Sequence, residues 1–415
     1  MTRAHIIGAG LAGLSAAVHL AQKGYDIILY EQANQAGGRA RSFHDSHLDS
    51  IIDNGNHLLL SGNYAAMDFL NIIGAEGRLM GPNAACFDFA DLETNDRWTI
   101  NFNRGPVPLW VLYEQSRVPG TSMMDYVAGL KLLTAGNRTV AHLFGDQGQM
   151  YRRFWEPFSV AVLNTVPEKA VARLLLPVIR ETLAKGSEYS KPLVARNGLS
   201  DTFIDPALKW LVHRKADIRL GQRIIGLENS NGKITAINTA RTSEPIYNDD
   251  VVVVATPPWV TPMLVEGVTA PDDFAPIVNV HFKVDGLAGK NIKTPILGLV
   301  GSKAQWLFVR DDIASVTVSA AHDLADKSSK DIAALIWPEV AKAYDLDAKP
   351  VPPVRVIKEQ RATFKVTPEQ INRRAPAKTD FKNLALAGDW TDTGLPATIE
   401  GAIRSGITAA KSLKR

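Results

Sequence analysis

Gly8, Gly10 and Gly13, followed by Glu31, are the residues whose types and spacing first suggest chemistry. They sit between the apolar run Ala4–Ile7, the helical run Leu14–Gln22 and a second strand-like run, Ile27–Tyr30, that ends on Glu31. In this order Gly8 permits the tight turn from strand to helix. Gly10 lets the backbone approach a pyrophosphate, and Gly13 lets the helix pack closely on the strand. Leu11 and Ala12 fall where the free N–H groups of a helix N-terminus meet an anion. Glu31 lies close to the ~20-residue spacing at which a carboxylate accepts hydrogen bonds from ribose hydroxyls. A glycine-rich turn without a ligand is the bland alternative. The ordered strand, helix and carboxylate around the glycines favour a bound dinucleotide.

Two further segments carry compatible chemistry. Gly37-Gly38-Arg39 follows Glu31 after a short loop; its glycines allow a second backbone approach to phosphate, and Arg39 adds a fixed charge. Near the other end, Ala387-Gly388-Asp389 closes a buried run, and Thr398-Ile399-Glu400 opens a helix. A strand-end Gly-Asp directs a carboxylate to a ribityl chain or, through water, to a pyrophosphate. The helix that follows aims N–H groups at a negatively charged edge.

Together these pieces resemble the FAD signature of the glutathione-reductase-like flavoproteins, especially the amine oxidase and phytoene desaturase group. The resemblance implies backbone contacts from Ile224 to the adenine. It also implies that Asp53-Asn54-Gly55-Asn56-His57 passes beside the flavin, which brings Gly55 and Asn56 into the cofactor site. Read without the resemblance, Asp53-Asn54-Gly55 is a simple turn.

The elements that must position these residues define an α/β fold. We expect a discontinuous, glutathione-reductase-like FAD-binding domain of Rossmann type, formed by residues 1–60, 200–270 and 355–415. A second α+β substrate domain with a helical cap is expected from 61–199 and 271–354. Helical periodicity marks Tyr64–Ile73, Met123–Leu133, Gln147–Phe158 and Lys169–Lys185. Segments 218–220, 223–228 and 234–237, with their turn residues, read as a hairpin-like arrangement. Val251–Val254 reads as a strand buried on both faces of a parallel sheet. Short strands between residues 275 and 320 and a helix at 330–343 predict an antiparallel sheet with a covering helix. The segment 384–390 predicts a last strand ending in Gly-Asp, and Thr398–Leu413 the closing helix.

Composition bounds the function classes. The chain has 415 residues, 46% hydrophobic and 21% charged, which suits two folded domains and argues against disorder. A net charge of +3 is too small to point to nucleic acid, whereas the basic balance suits an anionic membrane surface. One cysteine, Cys86, excludes an intrachain disulfide framework and a cysteine-based metal site, and no metal is expected. Cys86 is also far in sequence from every flavin segment, so the expected attachment of FAD is non-covalent. The N-terminus reads as the first core strand rather than a signal peptide, and no apolar stretch reaches the ~18 residues of a membrane span. A cytoplasmic protein is expected, resting peripherally on the inner membrane face. Pro106–Tyr113 and the apolar run from Met123 to Leu133 read either as a membrane-facing lip or as ordinary packing of a helical cap.

At a finer level the whole chain, residues 1–413, is similar to the squalene-associated FAD-dependent desaturases, the hydroxysqualene dehydroxylases of bacterial hopanoid synthesis. The matching segments are 53–62, 154–165, 254–258 and 396–402, of which Phe154-Trp155-Glu156-Pro157 and Asn54-Gly55-Asn56-His57-Leu58-Leu59-Leu60 carry the narrower assignment. Asn56 departs from the glutamine expected there, keeping the amide but shortening its reach. The resemblance implies loss of a hydroxyl from a linear C30 allylic alcohol, with a hydride delivered in its place to give squalene. An allylic C–O bond ionises once its oxygen is protonated, and an apolar cavity keeps water from the cation.

His57 is the favoured proton donor because its ordinary pKa suits the task. Glu156, Asp392 and Glu400 are the acidic alternatives, and Arg41 is expected to orient substrate or flavin. The partners implied are a long apolar isoprenoid and an electron donor for the flavin, which the sequence does not name; no second nicotinamide fingerprint is visible. The competing readings are a carotenoid-type desaturase, a flavin amine oxidase and a flavin-fold carrier without redox turnover.

Overall fold

The protein is described from a computed structural model covering residues 2–145, 148–247, 249–290 and 294–413. Its first layer is a five-stranded sheet of β1 (Arg3–Ile7), β2 (Asp26–Tyr30), β3 (Asp217–Arg219), β4 (Val251–Val254) and β5 (Leu384–Leu386), in the order β3-β2-β1-β4-β5. Every neighbouring pair is parallel. All four valines of β4 are buried, because a strand between two parallel neighbours with elements on both faces reaches no water. Three helices matter for the site: α1 (Leu11–Gln22), α2 (Tyr64–Ile72) and α3 (Ile399–Ser412). α1 crosses from β1 to β2, and α3, which follows β5, packs along α1 with Ser15 Oγ donating to Ile403 O at 2.8 Å. The parallel order and the α1 crossover are those of a Rossmann-type unit, as the sequence predicts.

The region around residue 220 differs from the expectation of one hairpin-like arrangement. Its first strand, β3, joins the parallel sheet, while Ile224–Ser230 and Lys233–Thr239 make an antiparallel hairpin extended by Ser243–Pro245. Glu31 N donates to Arg219 O at 3.0 Å and Gln222 N to Glu31 O at 2.8 Å, so the chain must pass the end of β2 before it turns back.

A second sheet has seven strands in the order Val354–Phe364, Phe274–Lys283, Ile313–Val318, Trp306–Arg310, Ile296–Val300, Cys86–Asp91 and Arg97–Asn101. Two of these, Cys86–Asp91 and Arg97–Asn101, come from the stretch between the predicted helices Tyr64–Ile73 and Met123–Leu133, for which the sequence marks no element. They add an antiparallel hairpin that joins Ile296–Val300 in parallel, and Phe89 stacks on Trp98 across it with ring centroids 5.4 Å apart. The predicted covering helix, Ser329–Tyr344, packs against Val278, Val280 and Phe282. The alternate residues of that strand, Asn279 and His281, are equally buried but point the other way, toward the Asp53–His57 segment.

The middle helices are shorter than their periodicity suggests. Met123–Val127 continues as a 3-10 helix to Thr134. Tyr151–Trp155 forms a π-helix leading into the α-helix Glu156–Leu163. The run expected over 169–185 breaks into Ala172–Leu174, Leu175–Glu181 and Leu183–Lys185, ending at Gly186 in a positive-φ conformation. Gln147, the expected start of one helix, lies outside the described residues.

Candidate active site

The turn from β1 into α1 carries two glycines with different structural reasons. Gly8 has φ 109°, and a Cβ there would lie 2.6 Å from Ala255 O, so glycine is required by the fold itself. Gly10 differs: its φ of −75° and ψ of 176° suit any residue, and a Cβ there would meet nothing within 4 Å. The space in front of Gly10 is therefore open. No side chain caps α1, whose first residues, Leu11, Ala12 and Gly13, leave their N–H groups without helical partners. An uncapped helix N-terminus beside open space is a fitting cradle for a pyrophosphate. Glu31 Oε2 accepts from Ala9 N and Oε1 from Ala33 N, both at 2.9 Å, which fixes the carboxylate against the glycine turn. Ile224, buried at the start of its strand, lies just beyond the Gln222 contact with Glu31.

The two distant segments meet this turn. Gly37 N donates to Ala9 O at 2.8 Å, and a Cβ on Gly38 would lie 3.6 Å from Gly10 Cα. Arg39 Nη2 pairs with Asp389 Oδ1 at 2.6 Å, joining residues 350 positions apart. Gly388 N donates to Ser405 Oγ of α3 at 2.8 Å, and Thr398 caps α3 by accepting from Gly401 N at 3.0 Å, with Ile399 buried in its first turn. Three pieces of chain thus converge on one cradle. Buried Arg374 holds the last of them, donating to the carbonyls of Asp389 and Trp390 at 3.4 and 3.2 Å; sequence reasoning missed it.

The Asp53–His57 segment lies beside the cradle. Asp53 is buried and ties three elements together, accepting from Ser42 Oγ at 2.6 Å, Leu199 N at 2.8 Å and Arg310 Nη1 at 2.8 Å. Asn56 Nδ2 donates to Thr317 Oγ1 at 3.0 Å, and Thr317 in turn donates to Asn279 Oδ1 at 2.8 Å. A Cβ on Gly55 would lie 3.3 Å from Asn279 Nδ2. His281 Nδ1 and Ser315 Oγ are 2.7 Å apart on the same stripe. Sequence reasoning missed this stripe as well. Its signal was present: polar residues at every second position of two strands that are otherwise apolar and buried.

His57 lines a small cavity of about 30 Å³ together with Asp53, Asn56, Phe308, Arg310 and Ser315. Burial lowers its imidazole to a pKa of about 4, with Arg39 acting in the same direction and Asp53 and Asp389 opposing. The ordinary pKa on which its selection rested therefore does not hold in the ligand-free protein, where His57 is neutral at pH 7. The charges of Arg39 and Asp389 both act on its imidazole.

The remaining candidates are elsewhere or otherwise engaged. Glu156 is exposed at the start of its helix, near Glu168 and Arg152. Asp392 is exposed as well. Glu400 is buried, but its oxygens accept from Ala65 N at 3.1 Å, Ala66 N at 2.9 Å and Arg404 Nε at 2.7 Å, so it caps α2. Arg41 is half-buried, its carbonyl accepting from Asn54 N at 2.8 Å. Among the described residues no cluster of His, Cys, Asp and Glu is arranged to hold a metal ion, and no helix is long and apolar enough to cross a membrane.

The chain matches the model of the flavin containing amine oxidoreductases over residues 11–413. It is 43% identical to the hydroxysqualene dehydroxylase of Zymomonas mobilis, covering 99% of this chain and 98% of that protein. It is 42% identical to the hydroxysqualene dehydroxylase of Sinorhizobium fredii, over 98% and 97% of the two chains. Carotenoid desaturases stand much further away, at 24% for a probable zeta-carotene desaturase of Synechococcus elongatus. Among solved structures, cyclohexylamine oxidase from Brevibacterium oxydans superposes with a TM-score of 0.71 over 99% of this chain and 98% of that one, at 13% identity. That likeness fixes the fold, while the family match and the full-length identities fix the family and its branch. The chain belongs to the flavin-containing amine oxidoreductase family, within the hydroxysqualene dehydroxylases.

Proposed function

We propose that the protein reductively removes the hydroxyl of hydroxysqualene to give squalene, using non-covalently held FAD. The full-length identity to hydroxysqualene dehydroxylases carries this reading, and the placement of His57 between the dinucleotide cradle and a cavity bordered by Phe308 supports it. Gly10 and the N–H groups of Leu11, Ala12 and Gly13 would hold the pyrophosphate, with Glu31 on the ribose and Asp389, oriented by Arg39, on the ribityl side. The Asn56–Thr317–Asn279 chain fixes the loop that presents His57. A bound reduced flavin supplies the hydride.

The reaction balances as one alcohol, one proton and one hydride giving one alkene and one water. His57 is the group we assign to the proton. A dinucleotide brings negative charge beside it, which acts with Asp53 and Asp389 to raise its affinity for a proton. Protonation of the allylic hydroxyl lets water leave, and the apolar walls keep that water from returning to the cation. Glu400, whose oxygens are engaged by α2, is assigned to positioning. We place the chain in the cytoplasm, at the inner membrane face, where an apolar C30 substrate resides.

The test is anaerobic incubation of pre-reduced protein with hydroxysqualene. Squalene must appear as the flavin reoxidises; a desaturase would instead leave the flavin reduced, and peroxide release from amines would favour an amine oxidase. His57→Phe should keep the yellow colour and lose turnover, and unchanged turnover would remove His57 from the mechanism.

A further inference from the structure

Nine of the nineteen large apolar side chains exposed among the described residues fall within residues 107–133, a small fraction of the chain. Chance scattering of surface hydrophobics does not give such a cluster. The most exposed are Met124, Leu133, Leu130 and Val107, at 73%, 67%, 65% and 61%. The two halves of the segment are packed together, since Trp110 meets Tyr126 edge to face with centroids 5.1 Å apart, and Val118 N donates to Tyr126 Oη at 2.8 Å. Along 123–134 the inward face is already filled by Tyr126 and buried Leu132. Met123, Met124, Val127, Leu130 and Leu133 therefore occupy the outward face, where a helix bathed only in water carries charge.

Two observations select the occupant. Residues 104–138 carry four cations (Arg104, Arg117, Lys131 and Arg138) against two anions, so the apolar face is rimmed by positive charge. Beneath it, Trp110, Phe102, Phe87 and Phe308 belong to one contiguous apolar cluster, and Phe308 lines the cavity that holds His57. An apolar surface with a basic rim fits an anionic bilayer, and the aromatic seam runs from that surface to the site.

We propose that the 107–133 lip docks on an anionic lipid bilayer and takes the apolar substrate directly from it, along the Trp110–Phe308 seam. The substrate part of this rests on the function proposed above; the docking part does not. The test compares wild type with the variant M124E/L130E/L133E, all at exposed positions, by co-sedimentation with phosphatidylglycerol–phosphatidylethanolamine vesicles and with phosphatidylcholine vesicles. Turnover of hydroxysqualene is measured in the same vesicles and in detergent micelles.

Wild type should sediment with the anionic vesicles at least tenfold more than the variant. The variant should lose about tenfold in kcat/KM in vesicles while staying within twofold in micelles. Equal vesicle binding by both proteins would overturn the proposal, as would a wild type that ignores vesicles but loses self-association in the variant, since the face would then cover a second copy of this chain. Equal losses in vesicles and micelles would overturn the delivery route. Wild type that sediments but produces no squalene in micelles would sink the assigned reaction and leave docking standing.

Discussion

Gly8→Ala and Gly10→Ala should fail in different ways, because only one of these glycines is demanded by the fold. At Gly10 the backbone is extended and a Cβ meets nothing within 4 Å. Alanine there gains roughly 0.4–1 kcal/mol by restricting the unfolded chain and loses roughly 0.5–1 kcal/mol as a poorer N-cap, so the ligand-free protein should change by less than about 1 kcal/mol. At Gly8 alanine must adopt φ 109° and place its Cβ 2.6 Å from Ala255 O. Strain of about 1–3 kcal/mol plus that clash should lower ligand-free stability by at least ~2 kcal/mol.

Cofactor affinity completes the contrast. A methyl at the phosphate approach should weaken FAD tenfold or more in Gly10→Ala, about 1.4 kcal/mol. With FAD at a hundred times the wild-type dissociation constant, the cofactor stabilises wild type by about 2.7 kcal/mol and the variant by about 1.4 kcal/mol or less. Urea unfolding of the ligand-free proteins, repeated with FAD and joined to a flavin fluorescence titration, reads both quantities. If Gly10→Ala destabilised the ligand-free protein as much as Gly8→Ala, or bound FAD like wild type, the pyrophosphate cradle would be misplaced.

Three further outcomes are expected. Arg39→Met and Asp389→Asn should each weaken FAD binding about tenfold, and the double variant should lose less than the sum because the two groups form one 2.6 Å pair; additive losses in a fluorescence titration would break that link. Glu400→Ala strips the acceptor from Ala65 N and Ala66 N and should cost roughly 2–4 kcal/mol in urea unfolding, with Glu400→Gln recovering part of it; a neutral Glu400→Ala would refute the capping role. Burial lowers both His57 and His281 to about 4, so the unfolded chain takes up protons below ~6.5 that the folded chain refuses. Ligand-free stability is therefore full above pH 6.5 and declines as pH falls toward 4, by up to roughly 3 kcal/mol per histidine. His281→Asn should flatten that decline, and an unchanged slope in pH-dependent unfolding would rule His281 out as a source.

The N-terminal cradle was legible in the sequence because its causes are local. Gly8, Gly10, Gly13 and Glu31 lie within one βαβ unit, where strand, turn and helix follow from periodicity and from what glycine allows. The valine run of β4 was legible for the same reason: only a strand buried on both faces tolerates it. The contact of Arg39 with Asp389 was inferable only by resemblance, since nothing in the 349 intervening residues encodes that 2.6 Å pairing locally. Tertiary structure alone decided the rest. It placed Cys86–Asp91 and Arg97–Asn101 in the second sheet, because the strand that receives this hairpin, Ile296–Val300, lies some two hundred residues along the chain. It turned Glu400 into the cap of α2 and left Glu156 in solvent, because the use of a carboxylate depends on which N–H groups the fold brings to it. It also moved the pKa of His57, since desolvation is a property of the packed surroundings and not of the residue.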